Sequence, residues 1–126
     1  MYQSVEQQPP VEREIEIFTK TGNNTKRSKG KLKVKFKPVS TSEVRDMIDE
    51  DLMIWEIFEE VVLEVGPVGH PTEKDEQGNP VPLPPAEAMA VVKEDWPAVQ
   101  QIVADFWELH RVDPKSATSR KQRRRG

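Results

Sequence analysis

The chain has 126 residues, no cysteine and a net charge of −3; that size supports one modest core, and the missing thiols exclude disulfides and thiolate metal sites. No apolar run approaches the ~18 residues needed to cross a bilayer, and MYQSVEQQPP lacks the basic-then-apolar order of a secretion signal, so a cytosolic protein is expected. The small net charge conceals segregation: residues 1–37 hold nine Lys/Arg against four Glu, residues 38–114 hold four against eighteen acids, and residues 115–126 hold six bases and no acid.

Residues 1–10 are polar, close on Pro9-Pro10 and read as a disordered leader. From Val11 to Thr19 apolar and charged residues alternate, with Val11, Ile15 and Ile17 on one face and Glu12, Glu14 and Glu16 on the other. From Lys31 to Lys37 the alternation is strict, setting Leu32, Val34 and Phe36 against lysines. Two such runs about the polar stretch TKTGNNTKRSKG predict an antiparallel hairpin over 11–37 with the glutamates opposite the lysines. A lone hairpin is marginal in water, so its apolar face should lie on helices, giving an α+β fold with a body of three to four helices.

Pro38 ends the second strand, and Ser40 followed by Glu43 fits a capping box that opens a helical segment over 41–65. Val44, Met47, Ile48, Leu52, Trp55, Phe58, Val61 and Val62 recur three or four apart, as along one helical face. Asp49-Glu50-Asp51 interrupts that stripe and divides the segment into two helices. Nine acids against the single base Arg45 occupy residues 42–65, an excess that suits a solvated face or a surface for a basic partner.

Residues 66–85 hold six of the eleven prolines and read as an irregular loop. Helices are expected over 85–112: Pro85 opens the first, and Asp95 caps a second whose stripe is Val99, Ile102, Val103, Phe106, Trp107 and His110. These complete a single domain over 11–113, and residues 114–126 read as a disordered basic tail. His110, late in its helix, sits where the dipole favours the imidazolium.

Little in the chain suggests catalysis. Two histidines far apart do not make a metal site, the acids near Gly78 lack calcium-loop spacing, and no phosphate-cradling glycine motif, G-x-S-x-G or H-E-x-x-H occurs. No enzyme, cofactor or metal is expected. The basic hairpin tip lacks an aromatic for base stacking, which weighs against nucleic acid.

The order of these pieces resembles the tail assembly chaperones of long-tailed, siphovirus-like bacteriophages. The matching stretches are KLKVKFKPV leading into a helix, an acidic helix ending in VVLEVGPV, then DEQGNPVPLPPAEAMAVV, and WPAVQQIVADFWELHR, together covering roughly residues 12–112. Many members carry a Trp near the place of Val65, and the basic run after Lys115 is a further departure. The resemblance implies a non-enzymatic protein of the host cytoplasm, absent from the mature virion. Such a protein oligomerises around the tape measure protein, keeps it soluble and recruits tail tube subunits; many exist in two lengths through ribosomal frameshifting. A long helical client suits a helix-in-groove surface. The expected partner-binding residues are Trp55, Phe58, Val62, Phe106 and Trp107, with Lys31, Lys33 and Lys35 supplying charge. Two other readings remain open: a small nucleic-acid-binding regulator using the hairpin and the tail, and a structural or completion protein of the virion tail.

Overall fold

A computed structural model describes residues 1–20 and 26–110. The fold is α+β, with about 41% helix and 33% strand among the described residues. Before the first strand, Val5–Gln7 form one exposed turn of 3-10 helix, so the predicted leader carries this much local structure. Strands β1 (Val11–Lys20) and β2 (Lys26–Phe36) form the predicted hairpin, and β2 starts five residues earlier than its alternation suggests. Glu12, Glu14 and Glu16 stand opposite Lys35, Lys33 and Lys31, as charge pairing requires.

After β2, Ser40 caps α1 (Thr41–Asp49) by accepting a hydrogen bond from the Glu43 amide at 3.1 Å. The predicted break follows. Asp51 takes a left-handed conformation (φ 56°), which no continuous helix accommodates, and α2 (Ile54–Val61) begins afresh. Its N-cap is Met53, whose amide donates to the Glu56 carboxylate at 3.2 Å, rather than one of the three acids. The expected helix to residue 65 stops at Val61. Val62 is already extended, and Val62–Gly66 form β3, which pairs with β2 to give the sheet order β1-β2-β3. The β-branched run VVLEV suits a pleated surface as well as it fits a helical stripe, and pairing with β2 decides for the strand.

The predicted irregular loop also contains order: β4 (Gly69–Lys74) and β5 (Pro80–Pro82) make a separate two-stranded hairpin. Its turn is held by Asp75, whose Oδ1 accepts from the amides of Gln77 and Asn79, both at 2.9 Å, while Gly78 supplies φ 83°. Helices α3 (Pro85–Lys93) and α4 (Trp96–Leu109) close the fold, with α4 capped by Asp95 and carrying Pro97 in its first turn. Both helices expected over 85–112 are present, the second ending at Leu109, and the predicted tail falls outside the described residues.

One core unites these elements. Ile15, Ile17, Val34 and Phe36 of the sheet meet Ile57, Phe58 and Val61 of α2 and Val99, Ile102, Val103 and Phe106 of α4. Phe106 lies 5.6 Å from Phe36 between ring centroids. A paired hydrogen bond of 3.0 Å on each side joins Arg13 of β1 to Asp105 of α4, and raises the guanidinium pKa chiefly through that bond. The opposite face of the sheet is a lattice of charge, with Lys31 3.5 Å from Glu14 and Lys35 3.6 Å from Glu64.

Candidate functional site: an acid-rimmed groove between two helices

The break at Asp51 resets the phase of the second helix. In α2 the i, i+3, i+4, i+7 positions are Ile54, Ile57, Phe58 and Val61, and these turn to the core. Trp55, one step round the helix from Ile54, is left 51% exposed beside Glu56 and Glu59. An open groove of about 660 Å³ runs between α1 and α2, with Met47, Leu52 and Trp55 as its apolar part. Its rim carries Glu43, Asp46 and Glu50 from α1 and Glu56, Glu59 and Glu60 from α2.

Three rim acids have lysine partners. Lys37 bonds to Glu60 and lies 3.5 Å from Glu43, and Lys93 is 3.9 Å from Glu59. The hydrogen bond to Glu60, assisted by charge, raises the Lys37 pKa and outweighs the effect of burial. Among the described residues, Asp46, Glu50 and Glu56 have no lysine or arginine at ion-pair distance. The groove thus offers a flat indole, two flexible apolar side chains and a surplus of negative charge. An indole and aliphatic side chains within an acidic rim are complementary in chemistry to an amphipathic segment with cations at its flanks. Among the described residues no three His, Cys, Asp or Glu side chains are grouped so as to hold a metal ion.

The expected partner-binding residues separate into three groups. Phe58, Val62 and Phe106 are 1%, 7% and 0% exposed and belong to the core, so their assignment to a partner surface is corrected. The cause for Phe58 is the reset phase of α2; for Val62 it is the strand; for Phe106 it is a ring environment shared with Phe36, Trp107 and His110. Trp107 is partly buried against the same core, 5.2 Å from Phe106. Lys31, Lys33 and Lys35 lie on the outer face of the sheet, opposite glutamates. Only Trp55 of the set reaches the groove.

Leu52 and Met47 were legible in the stripe, whereas Lys37 is hidden among four alternating lysines and is distinguished only by its turn towards Glu60. Neither a family model, nor a curated protein, nor a solved structure matches this chain.

Proposed function

We propose that this protein is a non-enzymatic tail assembly chaperone of a long-tailed phage, holding the apolar stripe of a tape measure protein in the α1–α2 groove. The reading draws on the resemblance carried by KLKVKFKPV, VVLEVGPV, DEQGNPVPLPPAEAMAVV and WPAVQQIVADFWELHR. Its single structural support is the exposed Trp55 standing with Leu52 in an acid-rimmed cleft, an aromatic anchor of the kind that dominates helix-in-groove binding. The client surface is smaller than the sequence suggests, because Phe58 and Phe106 are committed to the core. Oligomerisation around the client, delivery to tail tube subunits, residence in the host cytoplasm and absence from the finished virion belong to the same proposal.

The nucleic-acid alternative loses support from the pairing of its cations: Lys29 bonds to Asp95, Lys31 faces Glu14 and Lys35 faces Glu64. Phosphate would have to displace those carboxylates. The test is co-expression with a helical tape measure segment followed by gel filtration and titration. Trp55→Ala should leave the fold intact and weaken capture by about 10- to 30-fold, the range of a buried aromatic anchor. A folded variant that captures the segment at full affinity overturns the proposal.

A further inference from the structure

The groove and the unused basic end of the chain fit one another. Residues 111–126 carry Arg111, Lys115, Arg120, Lys121, Arg123, Arg124 and Arg125 against the single acid Asp113. They continue from a defined place. The ring of His110 lies 4.7 Å from Phe106, Phe106 lies 5.6 Å from Phe36, and Lys37, the next residue, is bonded to Glu60 on the groove rim. The chain therefore leaves α4 at the end of the molecule where Glu43 and Glu60 stand. Sixteen residues reach at most about 55 Å, whereas α2 is about 12 Å long, so distance is no obstacle.

We propose that the α1–α2 groove binds the C-terminal basic segment of its own chain, residues 115–126, which lies against the acids of the rim and competes there with any other occupant. Charge selects this occupant over an uncharged one: Asp46, Glu50 and Glu56 lack cationic partners among the described residues, and Lys37 between Glu43 and Glu60 already shows a cation held by this rim. The attraction is local, because at ~0.15 M salt charges beyond about 8 Å are screened, and covalent attachment supplies the high effective concentration that offsets this. The inference deepens the reading of the groove as a docking surface. An apolar client and the basic segment then compete for the same acidic rim.

The absence of cysteine allows one label at one place. A nitroxide on Gly126→Cys in the full chain should cause loss of amide signal at Met47 and Leu52 and of the Trp55 indole signal. The loss should disappear at about 1 M salt, where the screening length is about 3 Å. It should also disappear when Arg120, Lys121, Arg123, Arg124 and Arg125 are all changed to Gln, and when Asp46, Glu50 and Glu56 are changed to Lys. No signal loss at the groove, or loss centred on Lys31 and Lys35 of the outer sheet face, overturns the proposal. So does an equal loss when label and isotope are on separate molecules, which would move the segment onto a second copy. A positive result in a protein that fails to capture the tape measure segment removes the chaperone reading and leaves this one standing.

Discussion

His110 shows two effects competing on one side chain. It occupies the C-cap of α4, where the dipole favours a cation, yet burial beside Phe106 lowers its pKa below 6.5. Desolvation wins because the ring packs against the core, so the neutral imidazole is the form that folding prefers. The unfolded chain therefore binds the proton more readily, and the stability tied to this group is fully present above the unfolded pKa and is lost as pH falls towards the folded one. Chemical denaturation at about pH 7.5 and about pH 5.5 should show a larger loss in the native protein than in His110→Gln. Equal losses would mean that the imidazole stays solvated.

At the scale of elements, the first hairpin depends on one irregularity. The register passes from Ile17 opposite Gly30 to Phe18 opposite Ser28, leaving Lys29 as an extra residue that meets Asp95 at the start of α4. Gly30 has φ 119°, and a Cβ there would touch nothing within 4 Å, so the demand for glycine is one of backbone conformation alone. Gly30→Ala should destabilise the domain by about 1–3 kcal/mol in urea titration, and a neutral result would show that the bulge relaxes. Much of this layout was readable beforehand, because strict alternation in KLKVKFK has only one interpretation and the glutamates of β1 give the register. Ser40, Asp95 and Pro97 likewise mark their helix starts by chemistry local to the chain. The third strand was not readable, since VVLEV satisfies both periods until its partner is known. Nor was the division between Trp55 and Phe58: Asp51 turns the second helix by an amount that spacing alone does not record, and the two aromatics, four and seven residues later, face different surroundings.

For the molecule as a whole, the single core makes its aromatic centre and its groove separable by measurement. Phe106 is fully buried and touches Phe36 across the layers, so Phe106→Ala should cost about 3–5 kcal/mol, a large part of the ~5–15 kcal/mol typical of a domain. Trp55→Ala, half exposed, should fall within about 1 kcal/mol of the native protein in the same denaturation experiment. Comparable losses for both would place Trp55 in the core and remove the groove as a docking surface. The sheet has a further property at its margins. On one border Gln101 of α4 accepts from the Phe18 amide at 2.9 Å and donates to the Phe18 carbonyl at 2.7 Å; on the other, Leu63 is the extra residue of a bulge between Glu64 and Val62 in a strand of five. Each border is thus interrupted at one place as a template for another chain's backbone, at Phe18 on one side and at Leu63 on the other. Copies brought together at high concentration would find backbone pairing interrupted at both places, and would meet there through side chains that can part again.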